Sequence, residues 1–244
     1  MDLRGWRGHS WTLLTPDNQY LSRLPNLVGA RVIKLVTPRL AGARFAETLV
    51  DFPSGVGMSA PCDADFSDFV FVLSGEISLV DGPARTLPAG GFAYLPSGDA
   101  LYVAAAGDAP ARMLWVKRRY EPSPGLATPP AVAGHRDDAP FEALAVPGLT
   151  RRELLDADDP AYDFNMSLLR FAPGAALDRV EIHDEEHGLY MTAGEGLYYL
   201  DAERHEVRRD DFVYMGPYCP QSFHATGTGP AEYLLYKDVW RDGF

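Results

Sequence analysis

The chain has 244 residues, of which 46% are hydrophobic and 23% are charged, and its formal net charge is −12. This length and composition are typical of a globular protein with either two small domains or one large all-β unit. The excess of acidic residues argues against nucleic acid and anionic membranes as partners, because both require clustered Lys and Arg.

The N-terminal segment MDLRGWRGHSWTLL contains no apolar run of signal-peptide length, and no later run approaches the length of a membrane span. The two cysteines, Cys62 and Cys219, lie in no metal or redox spacing, so we expect reduced thiols that fill small apolar spaces. The chain also lacks a phosphate-cradling glycine loop and a nucleophile elbow. These features favour a cytoplasmic protein.

Short runs rich in Val, Leu, Phe and Tyr follow one another along the first half of the chain. Turn residues separate them, since the chain contains 20 Pro and 23 Gly. Such runs, with a turn signal about every ten residues, are typical of antiparallel strands in a sandwich or barrel. In chain order they are RVIKLVTP, ARFAETLVDFPSG, FVFVLSGEISLV, GGFAYLPSG and ARMLWVKRRY.

The second half of the chain repeats the pattern of the first. FAETLVDFPSG matches FNMSLLRFAPG at an offset of 119 residues, from Phe45 to Phe164. GGFAYLPSG matches DDFVYMGPY at an offset of 120 residues, which also pairs Lys117 with Lys237. Self-similarity at a nearly constant offset indicates two similar β-domains in tandem.

The segment between the two copies is rich in Pro and Ala, which is typical of a linker. We therefore predict an N-terminal domain over residues 1–122, a linker over residues 123–145 and a C-terminal domain over residues 146–244.

The stretch EIHDEEH, residues 181–187, combines four carboxylates with two histidines. A charge run is usually a solvated surface, and we expect Asp184, Glu185 and Glu186 to be solvated loop residues. The remaining residues of the stretch differ in type from the residues at the equivalent positions of the first copy, and a solvated loop would not require such a difference. Glu181, His183, His187 and the distant Gln221 take the places of Cys62, Ala64, Asp68 and Leu101.

The spacing of these four residues is compatible with one metal site. Glu181 and His183 are two residues apart in an extended segment, so their side chains point the same way. A small barrel can bring His187 and Gln221 to the same interior point. Carboxylate and amide oxygens favour harder ions such as manganese or magnesium, and imidazole accepts manganese, iron, zinc and nickel, so Mn²⁺ fits this set best. We predict one Mn²⁺ per chain, in the C-terminal domain, and iron remains an alternative.

The spacing of these residues resembles the cupin motifs G-x5-H-x-H-x3-E-x6-G and G-x5-P-x-G-x2-H, with changed residue types at the ligand positions. The Glu, His, His, Gln set is similar to that of the (S)-ureidoglycine aminohydrolases, whose N-terminal cupin binds no metal. The stretches HSWTLLTPD, FNMSLLRFAPGA, EEHGLYMTAGEGLYYLD and YLLYKDVWRD also resemble that family. The resemblance implies an all-β bicupin, with two tandem antiparallel jelly-roll barrels of which only the second binds metal.

The resemblance further implies a reaction, the manganese-dependent hydrolysis of (S)-ureidoglycine to (S)-ureidoglycolate and ammonia in purine (allantoin) catabolism. It implies that Tyr198, Tyr233 and Lys237 bind the small-molecule substrate, with Lys237 opposite its carboxylate. Glu181 is expected to contact the substrate and accept a proton, and the chain is expected to form a dimer or a larger homo-oligomer. An Fe(II)-dependent cupin dioxygenase and a non-catalytic small-molecule-binding cupin are the alternative functions.

Overall fold

The structure is a computed structural model that describes residues 4–40, 42–80 and 82–239. These residues form two compact units, which we call the N-terminal unit (residues 20–138) and the C-terminal unit (residues 4–19 and 139–239). Within the described ranges, no helix is long and apolar enough to cross a membrane.

The regular secondary structure of the described residues is β-strand, apart from one 3₁₀ turn at Pro16–Asn18. This confirms the predicted all-β class. In chain order the strands are β1 (Trp6–Arg7), β2 (Trp11–Leu14), β3 (Leu21–Ser22), β4 (Arg31–Val36), β5 (Phe45–Phe52), β6 (Phe66–Ser74), β7 (Glu76–Leu79), β8 (Thr86–Pro88), β9 (Gly91–Leu95), β10 (Val103–Ala105), β11 (Ala111–Arg119), β12 (Val132–His135), β13 (Glu142–Ala143), β14 (Leu149–Glu153), β15 (Phe164–Phe171), β16 (His187–Ala193), β17 (Glu195–Leu200), β18 (Glu203–Arg208), β19 (Phe212–Met215), β20 (Gln221–Ala225) and β21 (Ala231–Asp238).

In the N-terminal unit, a seven-stranded antiparallel sheet has the order β12-β9-β6-β11-β5-β4-β3, and a three-stranded sheet has the order β10-β7-β8. Side chains alternate along each strand, so one face of each sheet turns inward. Inward residues of both sheets, such as Val50, Val70 and Ile77, are buried in one apolar core. The unit is therefore a two-sheet sandwich closed around that core.

The C-terminal unit has the same arrangement. Its larger sheet has the order β1-β2-β19-β16-β21-β15-β14-β13, and its smaller sheet has the order β18-β17-β20. The core differs in composition from that of the first unit, because it contains a cluster of aromatic rings. Phe171, Phe223 and Tyr233 pack with ring centroids 4.8–5.6 Å apart.

The unit boundaries differ from the predicted domain limits at the N-terminus. Strand β2 pairs with β19, with Trp11 opposite Met215, and Trp11 is buried in the core of the C-terminal unit. Arg4 forms an ion pair with the buried Asp211 of the same unit. Residues 4–19 therefore complete the C-terminal unit rather than the N-terminal one. An uncovered edge of β19 would expose unpaired backbone groups, and β2 covers that edge.

The segment predicted to be a linker, residues 123–145, contains two strands. Strand β12 pairs with β9, with Val132 opposite Tyr94, and therefore belongs to the N-terminal unit. Strand β13 pairs with β14 in the C-terminal unit, with Glu142 opposite Arg151. The Pro- and Ala-rich composition of the segment gave no sign of either pairing. Both strands are short and lie at the edge of a sheet, so each contributes only a few residues with strand character.

Backbone contacts repeat between the units at the offset found in the sequence. The Cys62 N–H donates to Leu101 O at 2.8 Å, and the Glu181 N–H donates to Gln221 O at 2.8 Å. The glycine that follows β6 and β16 also recurs, with φ of 71° at Gly75 and 73° at Gly194. Positive φ favours glycine at such turns. The two copies thus share their backbone, and their differences lie in side chains.

Candidate metal and substrate site

Two strands, β16 and β20, and the segment before β16 bring the candidate ligands to the inner face of the C-terminal unit. His187 begins β16 and Gln221 begins β20, and both are 5% exposed. Glu181 lies directly opposite Gln221 through two backbone hydrogen bonds of 2.8 and 3.0 Å. His183 follows in the loop, where its carbonyl accepts from the Tyr218 N–H at 2.7 Å. The fold therefore positions all four residues through backbone contacts.

The two imidazoles meet within this group. The Nε2 atoms of His183 and His187 are 3.2 Å apart, and their rings meet edge to face. The side-chain amide nitrogen of Gln221 also lies 3.2 Å from Nε2 of His183. Burial lowers the pKa of His187 well below its usual value, and the nearby His183 and Lys237 lower it further. His187 is therefore a neutral imidazole, the form that ligates metals.

These atoms fit a metal site in part. No group of three or more His, Cys, Asp or Glu side chains in the described ranges forms a metal-binding cluster. Two nitrogen ligands about 2.1 Å from one ion and at right angles would nevertheless be about 3 Å apart, close to the separation of the two imidazoles. Gln221 completes the group of three, and a half-turn of its amide would exchange the nitrogen facing His183 for the oxygen.

Glu181, the fourth predicted ligand, occupies the adjoining position. Within the described part of the chain, its carboxylate forms no hydrogen bond or ion pair. Opposed residues on paired strands present their side chains to the same face at about 5 Å, so Glu181 lies within reach of the Gln221 amide. The negative charge of Glu181 also contributes to the raised pKa of Tyr198 and Tyr233. The donor set is thus suitable for a hard divalent ion.

Tyr198 and Tyr233 line the interior next to this group. Both are buried, and their hydroxyls hydrogen-bond to one another. The Tyr198 hydroxyl also makes a long contact of 3.5 Å with the Oε1 atom of Gln221. Burial raises the pKa of both tyrosines, so they remain protonated and can donate hydrogen bonds but do not act as bases near neutral pH.

Lys237 lies beside His187, its register partner on the adjacent strand, and contacts an acidic residue. Its Nζ lies 3.0 Å from Oε1 of Glu185. The other carboxylate oxygen of Glu185 lies 2.9 Å from Nδ1 of His183, as a charge contact rather than an aligned hydrogen bond. Burial raises the pKa of Glu185, but Lys237 outweighs this and leaves it below the usual value. Glu185 therefore connects a candidate ligand to the candidate substrate lysine.

Two residues expected to be solvated make structural contacts instead, and that expectation was wrong for both. Glu185 makes the contacts just described, and Glu186 is 1% exposed. The Tyr214 hydroxyl donates to the Glu186 side chain at 3.2 Å, and the Asp238 N–H donates to its carbonyl at 3.0 Å. The alternation His183-x-Glu185 was the sequence signal for an inward Glu185, because side chains two apart in an extended segment share a face.

The seven predicted site residues thus differ in how directly they contact one another. His187 and Gln221 both contact His183. Tyr198 contacts Gln221 and hydrogen-bonds to Tyr233. Lys237 reaches the group through Glu185, and Glu181 reaches it through its backbone pairing. Of the resembling stretch YLLYKDVWRD, the residues from 240 onward lie outside the described part of the chain.

The equivalent positions in the N-terminal unit carry no such group. Cys62 is partly buried, and Leu101 belongs to the apolar core. Asp68 stands where the C-terminal unit has His187, and it accepts a hydrogen bond of 2.6 Å from Trp115 Nε1. Within the described residues, the group formed by His183, His187 and Gln221 is therefore specific to the C-terminal unit.

Comparison with known proteins agrees with this arrangement. The cupin domain family matches residues 50–117 and 167–236, one region in each unit. The solved structure of protein Ylba from E. coli has a TM-score of 0.86 and 30% identity, over 99% of this chain and 96% of that one. The two-cupin fold is thus confirmed.

Two curated relatives match over most of their length. The (S)-ureidoglycine aminohydrolase of Escherichia coli (strain K12) is 33% identical over 96% of this chain and 90% of its own. That of Arabidopsis thaliana is 31% identical over 94% of this chain and 76% of its own. The chain therefore belongs to the (S)-ureidoglycine aminohydrolase family of two-domain cupin proteins.

Proposed function

We propose that this protein hydrolyses (S)-ureidoglycine to (S)-ureidoglycolate and ammonia, as a step of purine (allantoin) catabolism. One observation supports the proposal most strongly. In the C-terminal unit His183 contacts both His187 and Gln221, while the N-terminal unit has the same backbone and lacks these three side chains. The names of the curated relatives supply the substrate.

His183, His187, Gln221 and Glu181 are the proposed ligands of one Mn²⁺ per chain. When bound, the ion supplies Lewis-acid polarisation and a fixed point for orienting the substrate. Glu185 is not a proposed ligand, but its carboxylate contacts one of the ligands, His183. Its carboxylate beside Nδ1 of His183 favours the tautomer protonated at that atom, which leaves the Nε2 lone pair free.

Lys237 is the proposed partner of the substrate carboxylate. In the structure its ammonium contacts Glu185, so the substrate competes with this ion pair or shares the ammonium with it. The side chain of Lys237 is 39% exposed, which allows a ligand to reach it. A lysine ammonium has three donors, so one can stay on Glu185 while another meets the substrate.

Tyr198 and Tyr233 are proposed to bind the polar ureido or amino groups. Because both remain protonated, they act as hydrogen-bond donors that fix the orientation of the substrate. Glu181 is the proposed proton carrier, since its carboxylate forms no hydrogen bond within the described residues. Water adds to the carbon as the C–N bond breaks, and Glu181 takes the water proton and returns it to the departing amine.

The direct test is ammonia release from freshly prepared (S)-ureidoglycine by the purified protein, together with identification of the organic product. We expect one ammonia per ureidoglycolate formed. Oxygen consumption with iron in place of manganese would favour the dioxygenase, and neither activity would favour a non-catalytic binding protein. We also propose a cytoplasmic location and a homo-oligomer of at least two chains, both on the resemblance.

A further inference from the structure

The N-terminal unit has a pocket of its own at the end of its sandwich. Strand β11 contributes Ala111, Met113 and Trp115 to the apolar core, and Lys117 and Arg119 continue the same face beyond it. A cavity of about 400 Å³ lies at this end, within the size range of small-molecule sites. We call it the Lys117 pocket. Its lining residues are Leu24, Lys34, Thr37, Pro38, Arg44, Ala46, Thr48, Phe66, Trp115, Lys117 and Arg119.

Two features of the lining determine what the pocket could bind. Four cationic side chains line it in a chain of net charge −12, and no carboxylate is among the lining residues. Arg44 and Arg119 are paired with Glu121 and Asp65, outside the lining. The remaining lining is mostly apolar and includes two aromatic rings. An anion with a flat apolar body matches both features.

Lys117 is the lysine best placed to receive such an anion. Its Nζ lies 3.9 Å from the ring centroid of Phe66 and 5.8 Å from that of Trp115, both of which line the pocket. Neither Lys117 nor Lys34 forms an ion pair within the described residues. Apart from Asp68, which interacts electrostatically with Lys117, no carboxylate of the described residues pairs with these two lysines.

Asp68 provides a second, independent feature beneath the pocket. It is the register partner of Lys117 and is fully buried, with Oδ1 accepting from Trp115 at 2.6 Å. Its other oxygen, Oδ2, is buried without a hydrogen-bond partner. Burial raises the pKa of Asp68 to about 7, so below this pH the group is mostly neutral and does not cancel the charge of Lys117. An unsatisfied buried oxygen next to two lining residues is uncommon in a structural core.

We propose that the Lys117 pocket binds a small aromatic carboxylate, with its anionic group at Lys117 and Lys34 and its ring against Phe66 and Trp115. This site would be separate from the site in the C-terminal unit. The proposal does not depend on the reaction proposed above, because it uses none of the residues of that site.

Titration of the full-length protein with benzoate, followed by calorimetry and by ligand-observed NMR, tests the proposal. We expect one site per chain, weaker binding at high salt because of screening, and no binding of benzylammonium, which has the same ring and the opposite charge. Lys117→Met should weaken benzoate binding about 10-fold or more. Lys237→Met, the matched change in the C-terminal unit, should leave it unchanged.

Lys34→Met serves as a second variant at an exposed position, where substitution does not threaten folding. It should weaken benzoate binding about two- to fivefold, as expected for an exposed charge contact. The proposal is overturned if benzoate does not bind, or if both Lys117→Met and Lys34→Met leave its affinity unchanged. It is also overturned if Lys237→Met abolishes binding, because the anion would then occupy the C-terminal unit.

Discussion

The two units of this protein present the same lysine from the same strand position, and they use it differently. In the C-terminal unit Lys237 contacts the carboxylate of Glu185 at 3.0 Å. In the N-terminal unit Lys117 lies 3.9 Å above the ring of Phe66, which occupies the position equivalent to Glu185. The backbone is shared, so a single side-chain difference turns an ion pair into a cation–π contact.

Other inner-face positions also carry polar side chains in the C-terminal unit and apolar side chains in the N-terminal unit. Tyr198 and Tyr233 of the C-terminal unit correspond to Leu79 and Met113, which lie in the apolar core of the other unit. A copy that holds no metal at these positions can fill them with hydrophobic side chains and gain stability from their burial. The comparison shows that the two units share a fold and differ in their inner-face side chains, which is where we propose that the function lies.

The strongest way to break the comparison is to remove a candidate ligand. We expect His183→Ala to lose nearly all bound metal and all ammonia release, because it removes the imidazole that contacts both His187 and Gln221. Elemental analysis of the folded variant measures the first effect. Asp68→Asn, at the position equivalent to His187, is the control and should keep full metal content. Equal metal loss in both variants would contradict the account.

Replacement of Gln221 by the residue of the other copy should have the next largest effect. Gln221→Leu should weaken metal affinity at least about 10- to 100-fold, the range that loss of even an outer partner of a ligand costs. The fold should survive, because Leu101 fills the equivalent position in the N-terminal unit. Metal titration monitored by calorimetry checks this. Unchanged affinity would remove Gln221 from the ligand set.

Lys237→Met tests the substrate anchor. A charge-assisted hydrogen bond to a carboxylate contributes about 1.5–3 kcal/mol, so we expect kcat/KM for ureidoglycine to fall roughly 10- to 150-fold. Because Glu185 competes for the same ammonium, the lower end of this range is expected. Metal content should not change.

Lys117→Met provides the matched lysine in the other unit and should leave ammonia release unchanged. In the benzoate titration and the ammonia assay together, Lys117→Met should weaken only benzoate binding. Lys237→Met should lower only the activity towards ureidoglycine. Two equally harmless substitutions would reduce Lys237 to an ordinary rim lysine.

Glu185→Gln should have a smaller effect, because Glu185 acts through His183 and Lys237 and not as a ligand. We expect about 10-fold weaker metal binding, as for other carboxylates behind a metal-binding histidine. The metal titration reports this separately from catalysis. Asp184→Asn, at the adjacent residue, is the control. Identical titration curves for wild type and Glu185→Gln would rule out the positioning role.

The smallest effect concerns stability and pH in the N-terminal unit. The pKa of Asp68 is raised by burial from 3.8 to about 7, so the folded protein favours the protonated acid. Its stabilising contribution is present at low pH and is lost as pH rises from about 4 through 7. Asp68→Asn should therefore stabilise the protein by a few kcal/mol at most at pH 8, with less difference near pH 4. Denaturant unfolding at both pH values checks the sign, and a larger gain at pH 4 would contradict it.

Much of this organisation could be predicted from the sequence. Because the two copies stay in register, residues at equivalent positions are expected to make equivalent backbone contacts. The offset that pairs Cys62 with Glu181 predicts the matching hydrogen bonds of both residues. The alternation of side chains in an extended segment likewise predicts a shared direction for Glu181 and His183.

Other features could not be predicted, because they depend on long-range pairing. Strand β2 joins β19 across most of the chain, and nothing in HSWTLLTPD indicates which edge it covers. The role of Glu185 was hidden among neighbouring acids, because composition does not distinguish an acid that faces a lysine from one that faces water. The contact between Asp68 and Trp115 was also missed, because it joins residues of two different strands, and the sequence does not show which strands pair.

Metal stoichiometry of the purified wild-type protein tests the central claim most directly, that the metal site belongs to the C-terminal unit alone. Elemental analysis should find one manganese per chain, and ammonia release should rise in proportion to occupancy as metal is restored after chelation. Two metals per chain would contradict the claim, and so would full activity in protein from which all metal has been removed.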